Sequence, residues 1–251
     1  MSEALFETVL ALADDHLILG HRVSEWCGHA PMLEEDLSMP NMALDLIGQA
    51  RNLYSYAGTL EGTGRDEDAL AYLRVDREYT NLLMVERPNG DFAHTMLRQL
   101  YFAAFMEPFW AWIAANSSDE TLRAIAAKAQ KEAAYHLRHS SEWVIRLGDG
   151  TEESADRMRA AVDALHIYTD EMFSMNSAYR TCVETDHVPD LNDLRPVWQA
   201  RIESVFGQAF LTVPEVEFPQ QGGRDGFHTE DFGHLLAELQ YMQRTYPGLE
   251  W

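Results

Sequence analysis

Apolar residues recur along most of this chain at steps of three and four, the period of a helix with one buried face. From about Glu3 to Cys27 the seam is Leu5, Val9, Leu12, His16 and Leu19, and Gly28 stands where such a helix would stop. A second helix is predicted over about 40–58, with Met39, Met42, Leu46, Ala50, Leu53, Ala57 and Leu60 in register. The loop GTGRDED leads to a short helical piece at about 69–79. ERPNGDF then gathers proline, asparagine and glycine into a turn. A third long helix is expected over about 93–115, rich in aromatic residues and kinked at Pro108, where proline removes a backbone hydrogen bond and crowds the preceding turn. Ser117 followed by Glu120 reads as a capping box. It opens a fourth helix, about 118–147, closed by Gly148. Further helices are predicted over about 151–173, 197–210 and 229–246. DHVPDLNDLRP reads as loop, and the two prolines and glycine pair of LTVPEVEFPQQGGRDG argue against a regular strand. With no repeat and no low-complexity linker, the simplest architecture is a single all-α domain over residues 1–251. Four long helices form its core, and smaller ones pack around them.

Composition narrows the function classes. The 251 residues, 46% hydrophobic and sparing in glycine and proline, suffice for a core without disulfides or a structural metal. Asp and Glu number 41 against 19 Lys and Arg, a formal charge of −22. A nucleic-acid binder carries a basic stripe to neutralise phosphates, and none is present. An anionic membrane surface would repel the chain. So much acid either keeps the protein soluble by charge repulsion or forms a face that docks a basic partner protein. Cys27 and Cys182 stand in no paired motif, which points to a reducing compartment with both thiols buried or inert. MSEALFETVLALADDH lacks the basic start and small-residue cleavage site of a signal peptide. LYFAAFMEPFWAWIAA, interrupted by Glu107 and Pro108, falls short of the ~20 residues of a membrane span. The expectation is a soluble, cytoplasmic protein.

Candidate chemistry gathers in KEAAYHLRHSSEW, Lys131 to Trp143. Ferritin-like di-iron proteins take one carboxylate from each of two helices and a Glu-x-x-His pair from each of two others. On the fourth helix the seam is read as Leu122, Ile125, Ala129, Glu132, His136, Trp143 and Leu147, with His139 at its edge. A buried carboxylate must be paired, metal-bound or protonated. Three residues after Glu132 stands Tyr135, where the pair requires histidine. His136 is one residue out, about 100° around the helix. On the second helix LDLIGQARNLY has the rhythm of a di-iron helix, yet Leu46 stands at the glutamate position and Gln49 at the histidine position. Leucine binds no metal, and a neutral amide is a poor substitute for imidazole. Asp45, the nearest acid, lies about 100° away. The favoured reading is a degenerate site: Glu132, His136 and Gln49 as a buried polar cluster, with no catalytic residue and no metal in this chain. A di-metal oxidase or hydrolase using Glu132, His136 and His139 is the rival. His16, His21, His166 and His234 fit ordinary core or surface roles.

Four separated stretches, RVSEWCGHAPMLEEDLSMPNMALDLIGQARNLYSYAG, NLLMVERPNGDFAHTMLRQ, KEAAYHLRHSSEW and GGRDGFHTEDFGHLLAELQYMQRTYPGLEW, resemble the non-catalytic, ferritin-like subunits of bacterial phenylacetyl-CoA epoxidases. The resemblance runs from near residue 14 to residue 251 and is weakest over 174–200. It implies a ferritin-like four-helix bundle core with additional peripheral helices, acting in a heteromeric ring oxygenase. The implied catalytic partner carries the di-iron centre and epoxidises phenylacetyl-CoA. Electrons for it come from a separate reductase with NADPH, flavin and iron-sulfur. The type of subunit resembled here stabilises that partner and holds no cofactor, and Leu46, Gln49 and Tyr135 are what such a role would look like. SEWCGHAP beside the acidic LEED is then a candidate docking surface, with Trp26, His29, Glu34 and Glu35. Trp26 serves equally well as a plug at the end of the bundle. An acyl-CoA-binding module is a further alternative, and self-association of the chain without its partner stays open.

Overall fold

Two antiparallel pairs of long helices carry most of the buried apolar side chains. The computed structural model describes residues 2–249, the side chain of Ser2 excepted, so Glu250 and Trp251 at the end of the fourth family-like stretch lie outside the described residues. The helices are α1 (Ser2–Ser24), α2 (Leu33–Glu61), α3 (Glu67–Tyr72), α4 (Leu83–Glu86), α5 (Phe92–Asn116), α6 (Glu120–Gly148), α7 (Glu152–Leu165), α8 (Ser177–Glu184), α9 (Leu191–Gln208) and α10 (Glu230–Thr245). There are 3₁₀ turns at Asp76–Glu78, His166–Phe173 and Gly223–Asp225, and no strand among the described residues. The chain is all-α, as the ferritin-like pattern requires. It divides into two compact units, one of residues 1–88, 176–179 and 221–251, the other of residues 89–175 and 180–220.

The first unit is built on the α1–α2 hairpin. Tyr54 Oη donates to Asp14 at 2.6 Å, and a Cβ on Gly20 would lie 3.0 Å from Ile47 and 3.2 Å from Leu46. The two contacts run in opposite senses along the helices. Asp36 fixes the connection by accepting from the Gly28 N–H at 2.7 Å. Gly62, at φ +69°, closes α2 through its N–H to the Gly58 carbonyl. Helix α2 begins at Leu33, well before Pro40, where the second helix was expected to start. Pro40 forfeits one backbone bond. Burying Met39 and Met42 on either side of it keeps the helix continuous. Asn41 also donates to the Leu37 carbonyl there at 2.9 Å.

The second unit pairs α5 with α6, Phe92 meeting Trp143 edge-on at 5.0 Å. Helix α5 runs through Pro108 and buries Tyr101, Phe109 and Trp110. Trp198 on α9 donates its Nε1–H to the Tyr101 carbonyl at 3.0 Å. The α6 cap is Asp119, which accepts from the Leu122 N–H at 2.7 Å, and not Ser117. Ser117 instead donates to the His187 carbonyl at 2.8 Å. The inward seam of α6 also differs from the one read from sequence. Leu122, Ala126, Ala129, Ala133, His136, Ser140, Val144 and Gly148 are buried, while Ile125, Glu132, Trp143 and Leu147 are only half-buried. Small residues take the innermost line because they let neighbouring elements approach. A Cβ on Gly148 would stand 2.3 Å from the Ala209 carbonyl oxygen. Helix α9 starts at Leu191, capped by Asp190, with Pro196 inside it. Helix α8, absent from the expectation, buries Ala178 and Cys182. The predicted helix over 151–173 is α-helical only to Leu165 and continues as 3₁₀ turns. Of the two thiols expected to be buried or inert, Cys182 is buried and Cys27 is exposed.

Candidate functional site

The residues singled out from sequence fall in different settings. On α2, Leu46 and Gln49 are buried, as the period of their seam places them. On α6, His136 is buried, but Glu132 is half-buried and meets the Lys128 ammonium at 3.1 Å. Tyr135 is 39% exposed, so its ring does not fill an inward position. It lies against the His136 and His139 rings instead, with Arg138 over its face. Helical rotation explains the difference. With Ala129, Ala133 and His136 innermost, a residue one before His136 turns outward by about 100°. Trp26 is half-buried, and His29 and Glu34 are exposed. Glu35 is buried and accepts from Ser38 at 2.8 Å, which removes it from any docking surface. Among the described residues no group of three or more His, Cys, Asp and Glu side chains could hold a metal ion.

The most concentrated polar chemistry lies in the first unit, where three buried carboxylates each meet a cation. Asp14 receives both outer nitrogens of Arg74, the Tyr54 hydroxyl and, at 2.9 Å, the Thr80 N–H. Arg74 itself is pinned, Nε donating to the Leu70 carbonyl at 2.6 Å and the guanidinium lying 4.0 Å over the Tyr79 ring. Asp15 takes a forked pair of bonds from Arg224 at 3.1 and 2.6 Å and the Leu82 N–H at 2.7 Å. Burial pushes its carboxyl up to about 6, although Arg224 pulls the other way. Glu86 takes His228 at 2.7 Å, Asn81 at 2.9 Å and the Thr229 N–H at 2.6 Å.

His228 has acceptors on both sides, Glu86 at Nδ1 and the Tyr79 carbonyl at Nε2, 3.0 Å away. Both ring nitrogens must therefore donate, which only the imidazolium does. Burial opposes that charge, yet the bond and the attraction of Glu86 hold its pKa above the ordinary histidine value.

Every oxygen of the three carboxylates is occupied. Each of the three carboxylates is held by a cation and by one backbone N–H, from Thr80, Leu82 or Thr229, so the cluster acts as a set of staples. It ties the segment 222–229 and α10 to α1 and to the loop 74–86, and Gln240 and Arg244 add bonds to the Arg74 carbonyl at 2.9 and 2.8 Å. The sequence carried one signal of it: adjacent acids, Asp14 and Asp15, inside an apolar helix. Their partners stand 60 and 209 residues away, and local periodicity does not reach that far.

Paired long helices, a seam of small residues and three buried carboxylates each met by a cation define an all-α fold of the ferritin-like class. Similarity to known proteins places it further. A family model described as phenylacetic acid catabolic protein matches residues 1–251. One component of the 1,2-phenylacetyl-CoA epoxidase of Escherichia coli (strain K12), its C subunit, is 45% identical over 242 residues, 96% of this chain and 97% of that protein. The chain belongs to the phenylacetic acid catabolic protein family. No helix of the described residues is long and apolar enough to cross a membrane.

Proposed function

We propose that this chain is a subunit of a phenylacetyl-CoA epoxidase in phenylacetate breakdown, one that stabilises the di-iron catalytic subunit and performs no redox step itself. The observation that carries the reading is the end-to-end match to a component of the Escherichia coli epoxidase, 45% identical over 96% of this chain. The donor chemistry supports the non-catalytic part. Leu46 is buried where a carboxylate would ligate, Gln49 offers only a neutral amide, and the Glu132 carboxylate is already neutralised by Lys128. These residues do not fit a di-iron centre, so no chemical step is routed through one in this chain.

Iron analysis of the chain purified with iron supplied, alone and with its catalytic partner, tests the proposal. Far less than one iron per chain is expected alone, with iron and epoxidation both following the partner. Two irons per chain would overturn it and restore a di-metal enzyme using Glu132, His136 and His139. Equilibrium dialysis of phenylacetyl-CoA against the chain alone separates scaffolding from acyl-CoA binding, and no retention is expected.

A further inference from the structure

Helix α2 has two apolar faces, one buried inside its unit and one left largely exposed. The inner face buries Met39, Met42, Ala43, Leu46, Ala50, Leu53 and Ala57. The outer face carries Leu33, Leu37, Leu44 and Ile47, which are 71%, 62%, 66% and 37% exposed. With Pro40 between them these residues step by four, three, four and three, the seven-residue seam of helices that pair along their length. They fall within an arc of about 80° on the helix. A helix that is apolar on both sides is built to be covered on both sides. Contiguous exposed apolar surface is a feature of interaction sites.

We propose that this face docks an amphipathic helix of another epoxidase subunit, apolar at the same spacing and flanked by lysine or arginine. This rests on the reading of the chain as an epoxidase subunit. Charge selects the occupant. Helix α2 presents Glu34, Asp36 and Asp45 outside its buried face, and its one base, Arg51, has its guanidinium already taken by Glu67 at 2.6 Å. A second copy would bring acid to acid along the seam, in a chain of net charge −22. A basic-flanked helix meets complementary charge. A stable interface covers about 800 Å² on each partner, more than one stripe supplies. The surface extends past Ile47 into a cavity of about 250 Å³ lined by Leu17, Ile47, Ala50, Arg51 and Tyr54, where an anchoring side chain of the partner fits.

The test uses the full chain and the purified catalytic subunit of the same epoxidase. Leu37→Lys with Leu44→Lys places two cations on the seam, both at solvent-exposed positions. The thermal midpoint and helical circular dichroism should match those of the parent, and affinity for the catalytic subunit should fall at least 100-fold. Leu37→Ala with Leu44→Ala is the milder variant should the lysines perturb folding, with about a tenfold loss expected. Phe218→Lys, at an equally exposed apolar residue elsewhere, should bind as the parent does. If the parent binds and both seam variants bind as tightly, the surface is wrong and the subunit reading stands. If the parent does not bind at all, the subunit reading fails and takes this proposal with it. A chain that is dimeric alone, and monomeric with the lysines in place, would assign the face to a second copy and overturn the heteromeric occupant.

Discussion

His228 is held above the ordinary histidine value by Glu86, and the sign of its effect on stability follows from that setting. Its folded pKa lies above 6.5, so the bond to Glu86 contributes fully below pH 6.5 and is lost as pH rises through the folded value. Asp15 acts in a lower window. Its carboxyl, raised from 3.8 to about 6, favours the native state when protonated, so its effect falls away between those values and is flat above. Between pH 6.5 and 9 the thermal midpoint should therefore decline, and His228→Gln should flatten that decline. It should also lower stability at pH 6.5 by on the order of 3 kcal/mol, because Glu86 is left buried without a cation. A parallel case is Arg74→Met, which strands Asp14 and should cost about 3–5 kcal/mol in urea unfolding. Adding Asp14→Asn should recover much of that loss, since the two residues act as one unit. If the double variant is as unstable as the sum of the singles, the pair is not coupled as drawn. None of these residues was singled out from the sequence, whose one trace of them is the adjacent pair Asp14 and Asp15 inside an apolar helix. Leu46 and Gln49 were legible because burial on α2 follows one regular period. Tyr135 was not, because alanines outcompete larger residues for the innermost line of α6.

Helices respond to the same substitution with opposite signs, depending on what stands opposite. Gly58 and Gly48 both lie inside α2, where alanine is favoured over glycine by up to about 1 kcal/mol. At Gly48 nothing lies within 4 Å of an added Cβ, so Gly48→Ala should stabilise by roughly 0.5–1 kcal/mol. At Gly58 the Cβ would stand 2.4 Å from the Arg65 carbonyl oxygen, a backbone atom that cannot swing aside. Gly58→Ala should destabilise by about 1–3 kcal/mol. Chemical denaturation of both variants checks the contrast, and stabilisation of both would show that the Arg65 loop does not approach α2 so closely. The long helices were legible because their apolar residues repeat over many turns. Their starts were misjudged at Pro40 and Pro196, where tertiary burial of Met39, Met42, Leu194 and Trp198 holds a helix through a proline that local rules place at its boundary. Helix α8 was missed for a related reason: eight residues give a periodic signal too short to separate from loop.

At the scale of the whole molecule, charge and apolar surface should govern different parts of assembly. The net charge of −22 creates a long-range field, while the α2 seam acts only on contact. Diffusional encounter with a basic-flanked partner is steered by the field and screened by salt, with a Debye length of about 10 Å at 0.1 M and about 3 Å at 1 M. Dissociation depends on how well the seam is covered, and removing exposed apolar area from water is insensitive to such screening. Raising ionic strength from 0.05 to 0.5 M should therefore slow association with the catalytic subunit by on the order of tenfold and leave the dissociation rate within about a factor of two. Surface-immobilised partner and a salt series read both rates directly. The Leu37→Lys, Leu44→Lys variant should show the reverse pattern, with dissociation accelerated at every salt concentration and the slope of the association rate against salt nearly unchanged. An association rate that ignores salt would remove charge from the recognition and leave the seam alone to select the partner.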